Sequence, residues 1–171
     1  LTRADDPEGG STSLTRTSIA DGYEVLMTSG EGHASTHRVE TLASGDRRRT
    51  LVGTDGLTSV TTIATTGKRS LSLPDGAAVT VTPGPDPRFG MRSSFATSSV
   101  TMLPSGLTRT IQSSRTATLS NPADPFSITT STETNTINGR TSTTSYNFAS
   151  RVETSSVSKT NVENAIVPNT S

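Results

Sequence analysis

His33 and His37 are the only two histidines in the chain, and they stand four residues apart. On a helix that spacing would turn both to one face, where they could hold zinc. Gly32 and the surrounding Ser and Thr residues argue for extended chain instead, which separates such a pair by about 13 Å. No third ligand is apparent, so both are expected as turn or solvent-facing residues. Asp5, Asp6 and Glu8 lead into Gly9 and Gly10 but lack the alternating ligand pattern of a calcium loop, and a solvated turn is expected there. Arg47-Arg48-Arg49 could contact an anion; a charged, solvated strand edge is the reading preferred here.

Catalytic signatures are missing as well. Serine is abundant, yet no Gly-x-Ser-x-Gly marks a nucleophile elbow. No carboxylates are paired in a way that suggests glycosidase work. There is no GxGxxG or P-loop for a nucleotide, and the absence of cysteine removes thiolate ligands, disulfides and a thiol nucleophile. The expectation is a non-enzymatic chain with no catalytic, metal-binding or cofactor-binding residues and no cofactor.

One stretch could still pass for a ligand loop: "GPDPRFGM" at 84–91, where two glycines and two prolines enclose an acid, a base and a phenyl ring. Gly84-Pro85-Asp86-Pro87 is read as incompatible with a helix interior or a central strand, because proline lacks the amide that a ladder needs. It is expected as a wide connector where the sheet turns a corner. Arg88 would pair with Asp86 or a carbonyl, and Phe89 and Met91 would tuck the loop down.

Composition says what those residues must be mounted on. Only 29% of the 171 residues are hydrophobic, against about 45–50% in globular domains by a count that includes Gly. Ser and Thr supply about a third of the chain. Little apolar burial is available to offset chain entropy. β-Branched Thr nevertheless suits a pleated strand wetted on one side, which argues for a β-rich fold over disorder. The 15 bases and 15 acids balance, so neither nucleic acid nor an anionic membrane is expected as a partner. No apolar run reaches the ~20 residues of a spanning helix, and no membrane insertion is expected. The chain begins at Leu1 without a signal-like segment and is expected to be excised from a longer one.

Strand and turn signals alternate along the chain. "TDG" (54–56), "TGK" (66–68), "PDG" (74–76), "PSG" (104–106) and "NGR" (138–140) separate runs such as "LTSVTTIAT", "AAVTVT" and "LTRTIQSSRTATL". Asp-Gly and Asn-Gly favour tight primed hairpin turns, which need positive φ. In "AAVTVT", Val79 and Val81 share one face and Thr80 and Thr82 the other. In "PFSITTSTETNTI", Phe126, Ile128 and Thr130 are expected on one face, continued by Thr132, Thr134 and Thr136 as a polar ladder. "NVENAIV" (161–167) is left as strand or irregular. The reading is all-β: repeated antiparallel hairpins forming one long curved sheet, with 1–171 as a single segment. Gly56, Gly76, Gly106 and Gly139 carry the turns.

Particular residues also resemble a known family. Gly139-Arg140-Thr141, then Tyr146, then Ala149-Ser150-Arg151, together with "GKRSLSLPDGAAVTVTPGPDPRFGM" and the run from "LPSGLTRT" to "NFASR", resemble the RHS/YD-repeat proteins over about residues 50 to 156. Asn147 stands where that family usually has Asp, and Ser150 where it has Gly. The resemblance implies a β-sheet strip wound into a hollow shell, either enclosing a toxin domain in bacterial systems or forming an extracellular adhesion module. It implies a secreted or cell-surface location, partners met through sheet edges, and Tyr146 as a packing residue. No autoproteolytic segment or toxin domain is recognisable. The rival expectation is a β-rich extracellular filament whose subunits add strands to each other's free edges.

Overall fold

The computed structural model describes residues 2–7 and 9–158. The 161–167 segment and Glu8 lie outside the described residues. Thirteen strands follow one another: β1 (Arg3–Asp5), β2 (Ser11–Ile19), β3 (Gly22–Ser29), β4 (Ala34–Thr41), β5 (Arg47–Val52), β6 (Thr58–Ile63), β7 (Arg69–Ser72), β8 (Ala78–Asp86), β9 (Gly90–Met102), β10 (Thr108–Leu119), β11 (Ile128–Ile137), β12 (Arg140–Asn147) and β13 (Val152–Val157). They form one open antiparallel sheet in strict sequence order. No helix occurs among the described residues. The all-β, hairpin-by-hairpin expectation is met.

The chain divides into two compact units, one of Leu1–Gly84 with Phe95–Arg109 and one of Pro85–Ser94 with Thr110–Ser171. Strands β8, β9 and β10 contribute residues to both.

One turn form repeats through the first unit. At 42–46, 53–57, 64–68, 73–77 and 103–107, the first residue's N–H donates to the carbonyl of the fifth, and the glycine in fourth place donates back to the carbonyl of the first. These are three-residue loops closed by a glycine bulge rather than the two-residue primed turns expected from Asp-Gly. The positive φ is still required, at +78° for Gly56 and +87° for Gly76. The Asp side chain finds a second use: Asp55 accepts from Leu57 N–H and Asp75 from Ala77 N–H. The two-residue form does occur at Asn138-Gly139, where both φ values are positive.

Two sequence expectations about strands are corrected. Arg47-Arg48-Arg49 is not on a sheet edge, because β5 pairs with β4 on one side and β6 on the other. The second concerns Gly84-Pro85-Asp86, which ends an inner strand, with only 87–89 left for the turn. Backbone parity explains why prolines are tolerated. Ala77 directs its carbonyl to Leu73 on the β7 side, and every second residue after it points the same way. Pro83 and Pro85 therefore lack their amides on the side where β7 has already ended. The Pro83 ring instead fills space beside Gly67, and the Thr82 carbonyl faces β9 and takes the Thr97 hydroxyl.

Burial is sparse. Among the described residues only Ala77, Ser35, Gly84 and Asp86 are buried, and no large side chain is fully enclosed. Cohesion thus comes from the backbone ladder and from cross-strand pairs, each of the latter contributing about 0.2–1 kcal/mol. Close backbone approaches matter correspondingly more. A Cβ at Gly22 would collide with the Val39 carbonyl of the neighbouring strand. Gly22→Ala is expected to destabilise by about 1–3 kcal/mol in urea unfolding, whereas Gly10→Ala, which meets only an ordinary contact with Asp6, should change stability far less. Ser35 Oγ is buried without a hydrogen-bond partner among the described residues. Ser35→Ala should therefore leave stability unchanged or raise it by up to about 1 kcal/mol; a clear loss would show that the hydroxyl is satisfied.

Candidate functional site

A concavity lies in the second unit, a cleft of about 480 Å³ over one face of β10–β12 and beside the 86–88 turn. Its floor follows from register. Arg115 stands opposite Glu133, and Glu133 opposite Thr144; one row away, Ala117, Ser131 and Tyr146 are aligned. Cross-strand partners share a face, so these side chains all rise on one side of the sheet.

A bulge completes that floor. Thr118 pairs with Thr130, but Leu119 pairs with Ile128, so the strand gains a residue there. The extra residue reverses the alternation. Ile128, expected beside Thr130 and Thr132, therefore lines the cleft instead. Phe126 lies outside β11, in the preceding turn, and packs at a tilt of 58° against Phe89 with centroids 5.7 Å apart. The expected Thr ladder survives on the opposite face, where Thr132–Ser145, Thr134–Thr143 and Thr136–Thr141 join hydroxyls at 3.0, 3.3 and 3.0 Å.

Glu133 is the polar centre of the cleft. One carboxylate oxygen accepts from Arg115 Nε at 2.9 Å and the other from Asn135 Nδ2 at 3.0 Å. Asn135 Oδ1 in turn accepts from Ser113 Oγ at 2.6 Å. The Asn135 hydrogen bond, more than the Arg115 charge, holds the Glu133 carboxyl below the usual glutamate range, against a smaller opposing effect of burial. At the turn, buried Asp86 accepts from the Arg88 and Phe89 amides at 2.9 and 3.3 Å. Arg88 Nε lies 3.7 Å from the same carboxylate, as the sequence suggested, and its guanidinium covers the Phe89 ring at 4.9 Å. Met91 does not tuck in and is 56% exposed. Tyr146 packs edge-on against Phe148 at 4.7 Å.

A search of protein-family models finds no match, and no curated protein matches either.

That geometry suits holding a polar ligand more than transforming one. The volume falls within the ~300–1,000 Å³ of small-molecule sites. An ionised carboxylate, an amide and a guanidinium converge beside two aromatic rings. Glu133 is held ionised and is a poor general acid near neutral pH. Asp86 is occupied by backbone amides, and no histidine or lysine lines the cleft to activate a hydroxyl.

The sequence reading placed no site here, although it had a usable signal. Between the threonines of "TTSTETNT", the alternate positions are Ser131, Glu133 and Asn135, so one face is hydroxyl throughout and the other carries the acid and amide. His33 and His37 are both exposed, and the His33 imidazole lies 3.6 Å from the Glu31 carboxylate. Among the described residues no cluster of His, Asp or Glu could hold a metal.

Because the folded-state pKa of Glu133 is depressed, its contribution to stability is present above the ordinary value near 4.3. It is lost as pH falls through the lower folded value. Asn135→Ala is expected to shift the Glu133 carboxyl titration upward, measured by carbon-detected NMR. An unmoved titration would mean that the amide does not set it.

Proposed function

We propose that this chain is a non-enzymatic structural segment of RHS/YD type, whose role is to extend a β-sheet that encloses or presents another domain, outside the cell or at its surface. The observation that carries the reading is the strictly sequential order of the thirteen described strands combined with the absence of an enclosed core among the described residues. Such a sheet gains little by closing on itself and much by adding strands. The positive-φ glycines at 56, 76, 106 and 139 agree with the turn roles read from the sequence, and the Tyr146–Phe148 contact agrees with the packing role that the resemblance implies.

The sheet edges bear on the filament alternative. Ser158 N–H donates to the Thr141 carbonyl, so alternation directs the backbone groups of Glu153, Ser155 and Val157 away from β12. Every residue of β13 is exposed, Val157 at 70%. At the other end β1 has three residues and carries the Arg3–Asp5 ion pair, a short charged edge of the kind that discourages pairing. Six residues facing three make a poor head-to-tail repeat, which favours a further segment over identical copies as the partner of β13.

Negative-stain microscopy of the protein within its parent chain should show compact hollow particles. Long fibres would select the filament instead. Ser155→Pro removes an outward amide without breaking the bonds to β12, and is expected to abolish pairing at this edge while leaving the β circular-dichroism spectrum intact. Assembly unchanged by that substitution would contradict the edge-pairing role.

A further inference from the structure

The two faces of the first unit divide their charge unequally. Cross-strand register from β1 to β8 assigns each strand residue to a face. On one face every acid has a base. Arg3 meets Asp5 at 2.7 Å, Arg38 meets Glu24 at 2.8 Å and Arg48 meets Glu40 at 3.0 Å. The opposite face carries Arg16, His37, Arg47, Arg49 and Arg69, and no strand residue on it is acidic. All five are exposed. Among the described residues, Arg47, Arg49 and Arg69 have no ion-pair partner.

The five form a diagonal stripe across the strands. Arg16, Val25 and His37 lie in one row. Val39 and Arg49 lie in the next, and Thr41 and Arg47 in the one after. Ile63 then joins Arg47 to Arg69. Along β5 the two arginines are about 7 Å apart, and Arg47 and Arg69 are about 10 Å apart across two strand spacings. A shallow groove runs between Tyr23, His37, Val39, Arg47 and Arg49. Asp21, in the β2–β3 turn, is the one acid lining it. The Asp46 carboxylate beside Arg47 is already engaged by the Thr65 amide at 2.9 Å.

We propose that this stripe binds a linear acidic polysaccharide lying across the strands. Charge complementarity demands an anion, and the repeated spacing demands one with charges at intervals along a chain. Nucleic acid fits less well, because Tyr23 is the one Phe, Tyr or Trp side chain on this strand face and Arg16 already covers it at 4.3 Å, which leaves only the small His37 imidazole to stack on a base. An acidic peptide would gain most by pairing its backbone along a sheet edge, whereas the stripe crosses strands whose backbone groups are already paired. A carboxylated or sulfated glycan needs only the side-chain forks, and guanidinium groups match such anions bidentately. This site goes beyond the structural role proposed above and does not depend on it.

The test is calorimetric titration of the intact protein with polygalacturonate and with heparin, against a DNA duplex and polyglutamate of similar length. Binding to at least one of the glycans is expected at low salt, weakening as salt rises. The combined substitution Arg47→Gln, Arg49→Gln and Arg69→Gln should weaken it at least about tenfold with the β spectrum preserved. The paired substitution Glu24→Gln and Arg38→Gln on the other face should leave it unchanged. The proposal is overturned if neither glycan binds at low salt, if DNA or polyglutamate binds more tightly than both, or if the triple variant binds like the parent.

Discussion

Everything in this protein rests on the backbone ladder between each strand and the one before it. Burial is too slight to hold the chain, since no large side chain is fully enclosed among the described residues. Each ladder hydrogen bond contributes about 0.5–1.5 kcal/mol net, while ordering each residue's backbone costs about 1–2 kcal/mol. Such a balance closes only if nearly every strand residue is paired and the side chains add their own cross-strand contacts. This accounts for the Thr pairs of β11 and β12, and for ion pairs that run between neighbouring strands. It also accounts for turns that use the Asp side chain to satisfy an amide. Sequence-adjacent pairing keeps the loops short, so closing each one costs little entropy.

The same constraint makes both faces of the sheet available for function. With no dry core to fill, alternate residues need not be apolar, and the two faces of one strand can carry different chemistry. β11 sets a threonine array against a face holding Glu133 and Asn135. β5 sets Arg48, paired with Glu40, against the unpaired Arg47 and Arg49. Function in this fold is therefore written in period two.

Much of this was legible in the sequence because turn glycines and β-branched runs report directly on the backbone. Val79 and Val81 share a face as their spacing requires. The hairpins around Asp55-Gly56 and Asp75-Gly76 close where their turn signals place them. What escaped was whatever depends on a partner strand. Ile128 changes face because of a bulge that no local pattern marks. Pro83 and Pro85 are compatible with an inner strand only because β7 is short. The Arg triplet looked like a solvated edge because its neighbours β4 and β6 were invisible, and its split into one paired and two unpaired arginines needed the register. The cleft around Glu133 escaped for the same reason, since Arg115 comes from a strand eighteen residues away.

The central claim is an open, ladder-held sheet whose outer edge at β13 is free among the described residues, and amide hydrogen exchange by NMR tests it most directly. The account predicts slow exchange at Thr154, Ser156 and Ser158, whose amides point to β12, and fast exchange at Glu153, Ser155 and Val157. Interior strands such as β5 and β11 should be protected at successive residues on both faces. Equal protection at 153–157 in the isolated chain, or fast exchange throughout β5 and β11, would contradict it.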